Sequence, residues 1–220
     1  MPAISTVTAA GPHDGAPVRA AGAPLGTARA AAVLLHGRGA TAASILALAD
    51  ELGGPDVAYL APQAASNTWY PQRFLMPIEM NEPWLSSALA VVDDLLGQLT
   101  AAGFDPKRVA LLGFSQGACL ALEYAVRHPR RYGAIVGLSG GLIGPPGTRW
   151  PSPPELAGTP VFLGCGDPDG HIPADRVRES GEIFRRAGAD VTAILYPGLG
   201  HTVGDDEIER TRELLARMVG

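Results

Sequence analysis

The chain has 220 residues, 46% hydrophobic and 18% charged, with a formal net charge of −5. That is enough apolar chain for one domain with a sizeable core, expected to span 1–220, and so mild a negative charge with no basic run argues against a nucleic-acid partner. No apolar run approaches the roughly 18 residues of a membrane span, so stable membrane insertion is not expected, and Cys119 and Cys165 sit in apolar sequence and read as buried reduced thiols.

The opening "MPAISTVTAAGPHDGAPVRAAGAPLG" lacks a basic stretch followed by an apolar one. It does not read as a signal peptide, so a cytoplasmic location is the default, and residues 1–15 are expected to be poorly ordered. "AAAVLLHG" is a short apolar run closed by glycine, hence a buried strand, and "TAASILALADELGG" has helical spacing with a glycine stop. "VAYLAP" is a second strand. A loop rich in aromatics and prolines follows, and "WLSSALAVVDDLLGQLTAAG" reads as an amphipathic helix. Next come strand "RVALLGF", helix "QGACLALEYAVRHP" with His128 capping its end, strand "YGAIVGLSG" and an irregular Pro/Gly segment over 141–158. The chain closes with strand "TPVFLGCG", helix "PADRVRESGEIFRRAG", strand "DVTAILYPG" and a last helix for which Asp205 is the expected N-cap. Continuously apolar strands alternating with helices predict an α/β fold with a parallel sheet covered on both faces. Ligands of such folds bind beyond the carboxyl ends of the strands, so reactive residues should lie in loops just after strands.

Two stretches match the pattern G-x-S-x-G, "GFSQG" around Ser115 and "GLSGG" around Ser139. With 28 glycines, random placement gives about 0.14 matches, so the pattern alone is moderate evidence. Context separates them. A nucleophile elbow needs a strand before the serine and a helix straight after it. Ser115 has both. After Ser139 the prolines Pro145 and Pro146 forbid a helix, and that serine reads as the end of a strand.

A serine hydroxyl needs a base, and the base an orienting acid. His201, in the loop "YPGLGHTVGDDE" after the last strand, stands where a base is wanted. The acid should come from "GCGDPDGHIP". Asp169, further into that loop, is favoured over Asp167, which is expected to stabilise the loop through backbone hydrogen bonds. The spacing Asp167-x-Asp169-x-His171 also admits a metal site, disfavoured because all three ligands sit in one short loop. His171 itself reads as a rim residue able to touch substrate. Oxyanion donors are expected from the backbone N–H of Gln116 and, in "LLHGRGA", of Arg38. The Arg38 side chain reads as solvated charge or as a contact to an acidic or carbonyl part of the substrate.

Together "LLHGRGA", "GFSQGACLALEYAVRHP", "LSGG", "GDPDGHIP" and "YPGLGHTVGDDEI" resemble the phospholipase/carboxylesterase family of α/β-hydrolases, which includes acyl-protein thioesterases. The resemblance runs from about residue 30 to the C-terminus. It implies an α/β-hydrolase without a large cap, a triad of Ser115, Asp169 and His201, oxyanion donors at Arg38 and Gln116, and hydrolysis of small-molecule esters or thioesters without metal or organic cofactor. Family members are often dimers, so the resemblance is compatible with a homodimer. Two departures stand out: Arg38 replaces an apolar residue of better-known members, and "NTWYPQRFLMPIEMNEPWL" resembles a bacterial branch.

The loop from Trp69 to Met80 carries Trp69, Tyr70, Phe74, Leu75 and Met76, which form either a buried lid or the wall of an acyl pocket; Leu142 and Ile143 could line the other side. The expected activity is a serine carboxylesterase for short to medium acyl chains. An acyl thioesterase or lysophospholipase is the alternative on the same fold. A catalytically dead binding module would be expected to lack part of the triad, and a dienelactone-hydrolase-like enzyme to carry cysteine in place of Ser115.

Overall fold

A computed structural model describes residues 3–150 and 154–220. Seven strands, β1 (Val18–Gly22), β2 (Ala30–Leu35), β3 (Val57–Pro62), β4 (Val109–Phe114), β5 (Ala134–Leu138), β6 (Pro160–Gly166) and β7 (Asp190–Tyr196), form one sheet in the order β1-β3-β2-β4-β5-β6-β7. Every neighbouring pair is parallel except β1 with β3. The five helices are α1 (Ala42–Leu52), α2 (Trp84–Ala101), α3 (Gln116–Arg127), α4 (Ala174–Arg186) and α5 (Asp205–Val219).

The alternation of side chains along each strand divides the core in two. Ala31, Val33 and Leu35 of β2 join the layer under α2, α3 and α4; Ala30, Ala32 and Leu34 join the layer under α1 and α5. Because both faces are covered, β2 is buried at all six positions, which is why it reads as an unbroken apolar run. This is the parallel sheet covered on both faces that the sequence pattern predicts and the α/β-hydrolase arrangement that the resemblance implies, with no large cap among the described residues.

Three expectations change. The edge strand β1, "VRAAG", was not foreseen: only Val18 is buried, and a short strand holding Arg19 among small residues carries no apolar run. The N-cap of α5 is Gly204, not Asp205; the Gly204 N–H donates to the Glu207 carboxylate at 2.8 Å, and Asp205 falls in the first turn, where its charge complements the helix dipole. The stretch over 1–15 makes specific contacts from residue 3 onward: Val7 N–H donates to the Ala16 carbonyl at 3.0 Å, and the backbone N–H of fully buried His13 donates to the Ser87 hydroxyl of α2 at 3.0 Å. Within the irregular segment expected over 141–158, residues 151–153 lie outside the described residues.

Candidate active site

Ser115 stands between β4 and α3 with φ 55 and ψ −119. A non-glycine residue in that region is strained, and the strain holds the side chain out of the turn. The flanking glycines are there because the turn is crowded. A Cβ on Gly113 would overlap the backbone of Gly117, and one on Gly117 would overlap the Leu35 carbonyl. The motif is thus the sequence imprint of β4, α3 and the end of β2 packed with no room for side chains.

The Ser115 Oγ lies 2.8 Å from His201 Nε2, and His201 Nδ1 lies 2.7 Å from Asp169 Oδ2. Three separate loops, after β4, β6 and β7, supply these side chains. The Asp169 side chain is enclosed, and its other oxygen accepts from the N–H groups of His171 at 2.8 Å and Ile172 at 3.1 Å. Burial pushes the Asp169 carboxyl up, but the bonds from His201 and from these two N–H groups outweigh it and hold the group below its ordinary value. An ionised Asp169 only accepts, so Nδ1 of His201 carries the proton and Nε2 offers its lone pair to Ser115. The buried Cys165 thiol adds a weak donor, 3.6 Å from Asp169 Oδ2.

Asp167 plays a different part. Its carboxylate accepts from the Gly198 N–H at 2.8 Å and ties the β6 loop to the β7 loop that carries His201. Asp167, Asp169 and His171 therefore do not converge, and among the described residues no group of three His, Cys, Asp or Glu side chains is placed to hold a metal.

Neither Arg38 nor Gln116 has an acceptor for its backbone N–H among the described residues, apart from any bond inside α3. Gln116 is the first residue of α3, where no intrahelical acceptor exists. The side chains of these two residues grip one and the same loop. The Gln116 amide accepts from Trp69 N–H at 2.9 Å and donates to the Tyr70 carbonyl at 2.8 Å. The Arg38 guanidinium donates to the Thr68 hydroxyl at 3.2 Å, the Pro71 carbonyl at 2.8 Å and the Gln72 carbonyl at 2.6 Å. Arg38 is accordingly not free solvated charge. Two neutral histidines brace the loop from behind: His36 Nε2 accepts from Ala64 N–H at 3.1 Å, and His13 Nδ1 from Ala65 N–H at 3.1 Å. Burial lowers the proton affinity of both rings.

A cavity of about 280 Å³ opens over Ser115, lined by Arg38, Tyr70, Arg73, Phe74, Gln116, Cys119, His171, Ile172 and His201. Of the expected lining, Tyr70, Phe74 and His171 are present; the His171 ring lies 4.7 Å from that of His201. Trp69, Leu75, Met76, Leu142 and Ile143 are not part of the wall. Trp69 is fully buried, its indole N–H donating to the His36 carbonyl and its ring packed against His13 and His36. Leu142 and Ile143 are turned into the core, because their N–H groups are bound by Ser180 of α4 and Glu123 of α3. Leu75 and Met76 are half-buried, with Leu75 packed on the core. Arg73, Cys119 and Ile172 were not anticipated. Cys119 lies one helical turn beyond Ser115, a spacing that could have indicated it.

Comparison with known proteins agrees with this geometry. The chain resembles a crystal structure of a phospholipase/carboxylesterase from Dyadobacter fermentans, 39% identical, with a TM-score of 0.87 over 96% of this chain and 99% of that one. Acyl-protein thioesterase 1 of Gibberella zeae is 30% identical over 128 residues, 57% of this chain and 54% of its own. Carboxylesterase SOBER1 of Arabidopsis thaliana is 25% identical over 138 residues, 63% of this chain and 60% of its own. The chain thus spans a little over half the length of these two curated relatives. The model of the phospholipase/carboxylesterase family matches residues 20–219, nearly the whole chain, and the protein belongs to that family.

Proposed function

We propose that the protein is a serine hydrolase that cleaves carboxylic esters of short to medium acyl chains, with Ser115 as nucleophile, His201 as general base and acid, and Asp169 as the group that orients and stabilises the imidazole. The observation that carries this reading is the unbroken relay at 2.8 Å and 2.7 Å from Ser115 Oγ through His201 to Asp169. Ser115 Oγ passes its proton to His201 Nε2 and bonds to the ester carbonyl carbon, whose π electrons move onto oxygen. The N–H groups of Arg38 and Gln116 receive that oxyanion. Its collapse breaks the bond to the alcohol oxygen, which takes the proton from His201 and leaves. Water then repeats the sequence on the acyl-Ser115 ester, and the acid departs. The short-chain preference is supported by the cavity of about 280 Å³, below the usual range of about 300–1,000 Å³ for ligand sites.

A thioester fits the same apparatus, and the likeness to acyl-protein thioesterase 1 of Gibberella zeae makes it the second reading. A cytoplasmic location accords with two buried cysteines left unpaired. The test is labelling with a fluorophosphonate probe, followed by parallel rates on p-nitrophenyl esters and acyl thioesters of rising chain length. We expect labelling of the wild type, none of Ser115→Ala, and the highest kcat/KM at short acyl chains. A Ser115→Ala protein that still turned over esters near the wild-type rate would refute the assignment.

A further inference from the structure

Resting on the hydrolase reading above, we infer that the substrate carries an anionic oxygen group, a carboxylate or a phosphate-like acid, which the cavity holds beside Arg73 and Arg38. Arg38, Arg73, His171 and His201 all line the cavity, and no aspartate or glutamate does. The enclosed Asp169 carboxylate faces His201 and two backbone N–H groups rather than the opening. In a chain of net charge −5, this is a local reversal of sign.

The charge of neither arginine is neutralised. Arg38 spends its guanidinium on two carbonyls and a hydroxyl, all uncharged, and lies 5.9 Å over the Tyr70 ring. Those bonds fix its position and leave an exposed, charged guanidinium in the cavity wall without an ion pair to any described residue. Arg73 is exposed and has no ion pair with any described residue, unlike the arginines of α4 and α5 that pair with an acid one turn away. Its backbone is nevertheless anchored. Buried Asn81 accepts from Gln72 N–H at 2.8 Å and donates to the Arg73 carbonyl at 3.4 Å, and the next carbonyl, of Phe74, accepts from Gly144 N–H at 2.7 Å. A cation on a fixed backbone in the wall of a cavity that holds a second cation and no carboxylate attracts and orients an anion.

The test compares kcat/KM for monoethyl glutarate with that for ethyl 5-methylhexanoate, in which an isopropyl group replaces the carboxylate; ethyl 4-phosphonobutanoate is run beside them, and ethanol release is measured. In the wild type at low salt, an acid ester should exceed the neutral one by about tenfold or more, and the better of the two acids names the group. That ratio should shrink between roughly 0.01 M and about 1 M salt, where the screening length falls from about 30 Å to about 3 Å. Arg73→Gln should lower the ratio several-fold and Arg73→Glu should bring it near or below one. Because each ratio is measured on a single preparation, a partly unfolded variant does not disturb it. A neutral ester hydrolysed as fast as both acid esters, or a ratio unmoved by Arg73→Glu, overturns the inference and leaves the hydrolase reading standing. Failure to hydrolyse any ester or take the fluorophosphonate label overturns both.

Discussion

Ser115 and Ser139 end adjacent parallel strands, each inside a G-x-S-x-G match, and each takes a left-handed backbone, with φ of 55 and 50. Pattern and strain are therefore shared. The two turns part in the residues just downstream of each serine. After Ser115 the chain enters α3 at once, and the hydroxyl meets His201 at 2.8 Å. After Ser139 comes Gly140, pressed against Ala118 in the first turn of α3, and the Ser139 hydroxyl is fully buried with no partner. The second turn is a support beneath the first. A strained serine is a candidate for chemistry only where a base reaches it and a substrate can.

The largest effect should come from exchanging the two hydroxyls for hydrogen. Ser115→Ala should cost about 10⁴-fold or more in kcat, whereas Ser139→Ala should stay within a few-fold, since it removes a buried hydroxyl that makes no bond to Ser115, His201 or Asp169. Comparable losses in steady-state esterase assays would erase the distinction between the turns. Next in size is the pair of acids. Asp169→Asn leaves the imidazole without a carboxylate to fix its tautomer and should lower kcat by about 10³–10⁴-fold. Asp167→Asn, which affects only the bond to Gly198, should cost less than about tenfold. Equal losses in kcat would mean that the tie between the loops, and not the carboxylate facing His201, is what matters.

The central strands were legible because burial on both faces leaves only apolar residues, and β2 is the plainest case. β1 was not, because an edge strand of Val, Arg, Ala and Gly needs its partner β3 to be recognised. Within the site, the turn of Ser115 and the loops that carry the acid and the base were readable from their position after strands, a rule of topology that needs no coordinates, whereas the preference for Asp169 over Asp167 rested on its reach into the loop. The cavity wall was less so. Between β3 and α2 there is no period to say which apolar residue faces inward, so buried Trp69 and wall-forming Phe74 look alike in sequence. The Gln116 side chain was invisible for a related reason: its partners lie at positions 68–70, far along the chain, and only the packed loop brings them together.

That loop sharpens the contrast at a smaller scale. Ser115 is followed by a side chain that ties the loop, and Ser139 by glycine, which has none to offer. Gln116→Ala keeps the backbone N–H but cuts its bonds to Thr68, Trp69 and Tyr70. It should reduce kcat/KM by about 10–100-fold through misplacement of the loop that Arg38 also holds, with little change in fluorophosphonate labelling once saturated. A kcat/KM within twofold of wild type would show that Arg38 holds the loop unaided.

The smallest effect concerns the histidines behind the loop, and it touches the Ser115 side alone. His13 and His36 each accept an N–H on one ring nitrogen and face a carbonyl with the other. A proton on the accepting nitrogen would put two donors face to face. Burial lowers both rings below the ordinary 6.5, countered partly by the Trp69 carbonyl for His13 and the Gly37 carbonyl for His36, and His13 lowers His36 further. Linkage sets the sign. Above about pH 6.5 both rings are neutral folded and unfolded, and the protein keeps its full stability. As pH falls below that, the unfolded chain takes up protons that the folded one resists, so stability declines until the folded pKa values are reached. Each unit of depression is worth at most about 1.4 kcal/mol. Urea midpoints from about pH 8 to about pH 5 should therefore fall, and His13→Gln should flatten the curve relative to wild type, whatever its effect on absolute stability. An unchanged slope in that variant would mean that the ring is protonated as easily in the folded protein as in the unfolded one, and that the brace behind Ser115 does not depend on a neutral His13.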